Sequence, residues 1–218
     1  WHMMNEWGVP TLYIASLTYN YVHKLASKGQ YVPDIILAGG FAFEDDIFKA
    51  MALGAPYVKA VGMARSPLCA AHVGKLVAEQ INKNAIDKTI EPYGKTTDEI
   101  FVLASRVKRL FGSKGKEVPA GALGVYSYYQ RLSQGLRQLT CGSRKFALEY
   151  LTRDDVVTLT REAAEVTGLK YIMEADSEEA EQILMGKEKT KSKIVAKVKP
   201  KATSKPRAKA KDKGKKKK

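Results

Sequence analysis

The chain has 218 residues, of which 44% are hydrophobic and 28% charged, enough to bury a sizeable core. Its formal net charge of +14 points to nucleic acid only until the charge is mapped: Lys187 to Lys218 holds 16 Lys and Arg against 2 Asp and Glu, which leaves 21 of each sign in residues 1 to 186 and a neutral body. Two cysteines, Cys69 and Cys141, cannot build a disulfide framework or an iron–sulfur cluster, and no apolar run matches a membrane span or a signal peptide, so the expectation is a soluble cytoplasmic protein with reduced thiols and no membrane span.

Three segments near the N-terminus align on a proline: GVPTLYIASLTYNYVHKLASKG from Gly8, YVPDIILAGGFAFEDDIFKAMALG from Tyr31 and GAPYVKAVGMARSPLCAAHVGKLV from Gly54. Pro10, Pro33 and Pro56 are spaced 23 residues apart. Each proline precedes a short apolar run, TLYIAS, DIILAG or YVKAVG, and then an amphipathic stretch. Without alternation, such runs predict parallel strands covered on both faces, each followed by a helix. In the middle unit Ile47, Phe48, Met51 and Ala52 share one helical face, and Glu44, Asp45 and Asp46 occupy the first turn, where the helix dipole favours acids. Gly29 and Gly54 stand where left-handed caps are expected.

Three βα units leave two open sheet edges and half a core. The chain opens at Trp1, with Met3 and Met4 close by, as the interior of a longer polypeptide does. The expected fold class is α/β: the last three units, residues 1–92, of a (β/α)8 TIM barrel, which needs roughly 250 residues. An α-helical extension, residues 93–186, and a disordered Lys-rich tail, residues 187–218, complete the expectation.

Gly39 and Gly40 close the second apolar run and Gly62 closes the third. Bare amides at the ends of adjacent strands make a concavity for a phosphate, and the loops after the last two strands of a barrel are its recurrent phosphate site. The alternative is that Gly39 and Gly40 serve only a tight turn. Glu44, Asp45 and Asp46 argue against an anion directly on their own helix, which moves the candidate site to the loop amides with Gly62, Met63 and Arg65. Arg65 reads equally as an oxyanion clamp or as a surface cation.

The stretch VPDIILAGGFAFEDDIFKAMALGAPYVKAVGMARSPL resembles the FMN-binding glutamate synthase family, in particular its stand-alone bacterial flavin-domain proteins. The similarity runs on through YGKTTDEIFV, GLRQLTCGSRKFAL and LTRDDVVTLTREAAEVTG to about residue 185. It implies FMN as cofactor, with Gly39, Gly40, Gly62 and Met63, and less directly Arg65, around its phosphate. It implies glutamate formation from 2-oxoglutarate, or a related small acid, and nitrogen from ammonia or glutamine, through flavin reduction of 2-iminoglutarate. An electron donor and an amidotransferase are the implied partners. The sequence departs from glutamate synthases proper in carrying only Cys69 where they bind an iron–sulfur cluster, so no cluster is expected in this chain. Catalytic residues are unassigned, since the family's ring and substrate contacts fall N-terminal to Trp1. Another FMN or phosphate-ligand barrel would share the glycines but not the downstream helical segments.

Those segments begin with TTDEIFVLASRVKRLFG, which predicts one helix opened by a Thr96–Glu99 capping box, with Ile100, Ala104, Val107 and Phe111 on one face and a stop at Gly112. GALGVYSYYQRLSQGLRQLTCG predicts a long helix whose Tyr126, Tyr128 and Tyr129, beside Arg131 and Arg137, pack against the barrel or stack bases. A further helical region is expected from a Thr152–Asp155 box to Gly168, and a short helix at SEEAEQILMG. His2, His23 and His72 have no metal-ligand spacing.

The lysine-rich tail has two readings, a nonspecific polyanion-binding arm or a solubilising extension. If it is an arm, nucleic-acid binding by the full chain weakens steeply as salt is raised, shows no base preference and disappears on deletion of residues 187–218. Electrophoretic mobility shifts across a salt series check this, and binding retained by the truncated body overturns it.

Overall fold

The computed structural model describes residues 8–186, to which all structural statements below refer; the tail and its expected disorder lie outside them, as does His2. The described chain is helix-rich α/β with two strands. Its elements are α1 (Thr11–Ser27), β1 (Ile35–Ala38), α2 (Glu44–Leu53), β2 (Val58–Gly62), α3 (Arg65–Asn82), α4 (Thr97–Ile100), α5 (Ala104–Leu110), α6 (Ala120–Gly142), α7 (Arg161–Thr167) and α8 (Ser177–Leu184). Residues to Ala175 form one compact unit, and α8 belongs to a second.

The two later repeats fold as expected: β1 and β2 pair in parallel, Leu37 opposite Val61 and Ala38 opposite Gly62, with α2 as the crossover. The first repeat does not. TLYIAS is the opening of α1, a 17-residue helix, where a strand was expected. Its buried residues, Ala15, Ser16 and Val22, follow a helical spacing that six residues are too few to reveal, and Ser16 Oγ donates to the Leu12 carbonyl one turn back at 2.8 Å. The expectation that both sheet faces are covered also fails. Leu37 and Val58 are buried, but Ile36 is 65% exposed and Ala38 and Ala60 are exposed beside it.

Gly29 is a left-handed residue after α1 at φ 67, as expected. Gly54 is not, at φ −92; it is required by space, because a Cβ there would lie 2.1 Å from Val58 Cγ2. The expected single helix from Thr96 is two. Its capping box forms, with Thr96 Oγ1 accepting from the Glu99 amide at 3.3 Å and Glu99 Oε2 accepting from the Thr96 amide at 3.0 Å. The helix then breaks at Leu103 (φ 58), which rotates Phe101 into the core beside Ala104 and Val107 and leaves Phe111 exposed. The Thr152–Asp155 box likewise opens only a short 3-10 turn, and α7 starts later, on Thr160, whose Oγ1 accepts from the Ala163 amide at 3.1 Å, and ends on the left-handed Gly168. The expected helices at 120–142 and 177–184 are present.

Two apolar clusters result. One joins Ala15 of α1, Leu37, Phe41, Ala50, Leu53 and Val58; the other joins Val77 of α3, Phe101, Ala104, Val107 and Leu123 of α6. Arg153 closes the first from outside: its guanidinium donates to the Leu53 carbonyl at 2.6 Å and to the Thr167 carbonyl, and lies 3.9 Å over the Tyr19 ring. Burial pulls its pKa down, against Tyr19 and Asp154, which raise it. Tyr19 also stacks on His23, whose Nδ1 is 2.9 Å from the Tyr57 hydroxyl.

The helix α3–α6 seam is made of backbone. A Cβ on Gly124 would stand 2.4 Å from the Ala70 carbonyl oxygen, and one on Gly74 would stand 2.6 Å from that of Ala120. Gly124→Ala therefore destabilises by about 1–3 kcal/mol through overpacking, despite alanine's better helix propensity. Gly142→Ala, where a Cβ meets nothing within 4 Å, does not. Denaturant titration of both variants checks the contrast.

Candidate functional site

Parallel pairing puts the C-terminal ends of β1 and β2 side by side, so the loops after them face one another. Between them lies an open cleft of about 670 Å³, lined by residues 38–41 and 62–66 with Cys69. All five residues expected at an anion site, Gly39, Gly40, Gly62, Met63 and Arg65, line it. Gly39 and Gly40 both have left-handed backbone, at φ 134 and φ 78, and a Cβ on Gly39 would lie 2.8 Å from Thr11 Oγ1. At Gly62 a Cβ would come 3.2 Å from that of Ala38 across the ladder. Turn and cleft therefore need the same glycines.

The polar groups around the cleft suit an anion. The amides of Gly40 and Phe41 donate no hydrogen bond among the described residues, and Arg65, the exposed first residue of α3, has no ion-pair partner there. No carboxylate lines the cleft. The acids of the first turn of α2 are turned elsewhere. Asp46 Oδ2 accepts from the Ala42 and Phe43 amides at 3.1 and 3.0 Å, and Asp45 accepts from Lys49 Nζ at 2.7 Å, a hydrogen bond that draws its pKa down. Glu44 packs toward α6, where a Cβ on Gly135 would meet its Cγ at 2.5 Å. Their repulsion, foreseen for an anion seated on α2, is weakened by these engagements and by that placement.

Two residues that sequence reasoning did not assign to this site hold the β1 loop in place. Ser66 Oγ donates to the Phe41 carbonyl at 2.9 Å, and Tyr128 Oη donates to the Ala42 carbonyl at 2.5 Å. Ser66 is adjacent to Arg65 and could have been suspected as part of the same loop. Tyr128 is 86 residues from Ala42, and its aromatic cluster announces packing without naming the partner. Of the two expected roles for those tyrosines, packing is the one seen: Tyr128 reaches the β1 loop, and burial pushes its phenol pKa up.

A second cavity of about 370 Å³ lies between α1, α2 and residues 156–169. Its polar side chains are already engaged, as with Thr11 on the Gly39 carbonyl, Lys49 on Asp45 and Thr158 on the Lys170 carbonyl. Cys69 and Cys141 are free and exposed, and no cluster of potential metal ligands occurs among the described residues. None of the described helices is long and apolar enough to cross a membrane. No protein-family model, curated protein or solved structure matches the chain.

Removing either tether loosens the β1 loop. Ser66→Ala and Tyr128→Phe each cost about 1 kcal/mol, and the Phe43 amide exchanges roughly fivefold faster in each, while Tyr129→Phe leaves it unchanged. Native-state hydrogen exchange reads this directly.

Proposed function

We propose that this chain is the C-terminal portion of an FMN-dependent oxidoreductase of the glutamate synthase type, with the cleft between the β1 and β2 loops as its phosphate site. The observation that carries the reading is the convergence of Gly39, Gly40 and Gly62, from two neighbouring parallel strands, on one cleft with unengaged amides and no acid. The motif resemblance supplies the cofactor's identity.

Closure into a (β/α)8 barrel is part of the proposal. It is supported by what the unit leaves bare: the Ile36 face of the sheet, and apolar stripes of Ile14, Leu17 and Tyr21 on α1 and of Leu68, Val73 and Leu76 on α3. These are the surfaces that the remaining βα units of a closed barrel would cover.

The residues present fit a phosphate monoester. Gly40 and Phe41 supply free amides, Arg65 a fork of donors for two oxygens, and Gly62 removes the side chain that would stand in the way. Ser66 and Tyr128 orient the loop, so the amides are held before ligand arrives. FMN, when bound, would supply the hydride chemistry that converts 2-iminoglutarate to glutamate. In this scheme residues 8–186 bind and orient, and 2-oxoglutarate is held by the remainder of the barrel, with nitrogen and electrons supplied by an amidotransferase and a donor.

Riboflavin has the ring of FMN without its phosphate, so the pair isolates the proposed contact. FMN is expected to bind the full chain at least roughly tenfold more tightly than riboflavin, with inorganic phosphate competing, and Arg65→Gln is expected to shrink the gap. Flavin fluorescence titration reads both affinities. Equal affinities, or a gap indifferent to Arg65→Gln and to Gly62→Val, overturn the reading.

A further inference from the structure

On the helix-covered side of the sheet, α2, the end of β2, α6 and residues 146–148 line a third, open cavity of about 610 Å³. Its walls are Ile47, Val61, Leu132 and Leu136, and no carboxylate lines it. Further strands of a barrel would extend the sheet edges and would not fill a space that lies behind the sheet. Volume and apolar lining are those of a small-molecule site, which ordinarily adds a few polar groups that fix orientation.

Such a group stands on the wall of this cavity. Arg137, exposed on α6, lines it, and neither its guanidinium nor the hydroxyl of Ser133 one turn earlier has an ion-pair or hydrogen-bond partner among the described residues. Thr140 contributes no donor, because its hydroxyl is committed to the Leu136 and Arg137 carbonyls at 2.9 and 3.0 Å. The opposite rim is held in an uncommon backbone. Phe146 there is left-handed at φ 61, at a cost of order 1–3 kcal/mol, whereas the left-handed Arg144 (φ 57) is accounted for by the end of α6, where the Arg144 and Lys145 amides donate to the Cys141 and Thr140 carbonyls, both at 2.9 Å. Phe146 lines the cavity yet remains 77% exposed. A left-handed, open aromatic at this rim is what a ligand cover would show, and the helix end, already complete at Arg144 and Lys145, does not need it.

We propose that this cavity binds an apolar monocarboxylate, with its hydrocarbon or aromatic body against Ile47, Val61 and Leu132 and its carboxylate on the Arg137 guanidinium. A carboxylate matches the guanidinium fork in plane and charge. A single cation over an apolar space favours one negative charge over the two of a phosphate monoester, which distinguishes this site from the glycine cleft. The inference does not depend on the flavin reading, and Met63, which lines both cavities, is the one residue they share.

Naphthylacetate and naphthylethanol, which differ in the carboxylate, test it on the full chain by calorimetry and by methyl NMR of Leu132 and Val61. The acid is expected to shift those methyls and to bind at least roughly tenfold more tightly than the alcohol. Arg137→Gln, an exposed change that leaves the fold intact, is expected to abolish the difference, and Ser133→Phe to block both probes. Equal binding of acid and alcohol to the wild-type protein, an acid affinity unchanged in Arg137→Gln, or shifts confined to other methyls overturns the proposal. Because the first criterion uses wild-type protein alone, it stands whatever happens to the fold of Ser133→Phe.

Discussion

Parallel pairing of Ile35–Ala38 with Val58–Gly62 is the constraint from which the rest of the unit follows. Parallel neighbours cannot be joined by a tight turn, so a crossover helix is obligatory, and α2 must lie on one face of the sheet. With Ala38 opposite Gly62, both chains then leave the ladder at the same level. The loop that turns into α2 and the loop that turns into α3 are thereby forced together at one end. A cleft at that end follows from topology, and what the sequence adds is its chemistry: glycine where a Cβ would close the cleft or the turn, and acids engaged by Lys49, by the Ala42 and Phe43 amides and by packing against α6.

Backbone contact governs the helical layer as well. Gly74, Gly121 and Gly124 let α3 and α6 approach until carbonyl oxygens stand where side chains would be, and Gly135 admits Glu44 against α6. Close approach anchors α6 on α3 and α2, and α6 in turn delivers Tyr128 to the Ala42 carbonyl. The loop at the cleft is therefore held from two directions, by its own crossover and by a helix that begins more than seventy residues later. A pocket held by backbone and by two hydroxyls needs little rearrangement, so the proposed ligand would lose little affinity to ordering entropy.

Much of this was legible. The two later repeats, their strands, α2, α3, α6, α8, the Thr96 and Thr152 boxes and all five cleft residues follow from period, capping chemistry and glycine placement. What was not legible has a common cause. TLYIAS is apolar without alternation, and in six residues a strand and a buried helix look alike; only Ala15 and Ser16 facing inward with Val22 about two turns on decides it. Leu103 breaks a helix that its capping box and hydrophobic spacing both extend, because the core demands Phe101 there. Arg153 reads as an ordinary cation of a capped turn, yet it spans three segments through the Leu53 and Thr167 carbonyls and the Tyr19 ring. In each instance the deciding partner is distant in sequence.

Charge separates the roles of the molecule in the same bottom-up way. The body is neutral, and its acids near the cleft are engaged locally, so an anion arriving there meets a short-range field set by free amides and Arg65. The third cavity has a field set by Arg137 over an apolar wall. The positive balance of the chain lies wholly after Gly186, where a dense run of like charge acts over a Debye length of roughly 8 Å at physiological salt. The two cavities, sharing only Met63 as a wall, thus present different chemistry to solvent: backbone donors that suit a dianion, and a lone guanidinium that suits a monoanion with an apolar body. A ligand that satisfied one would leave the demands of the other unmet, so the two proposed ligands would not compete for the same surface.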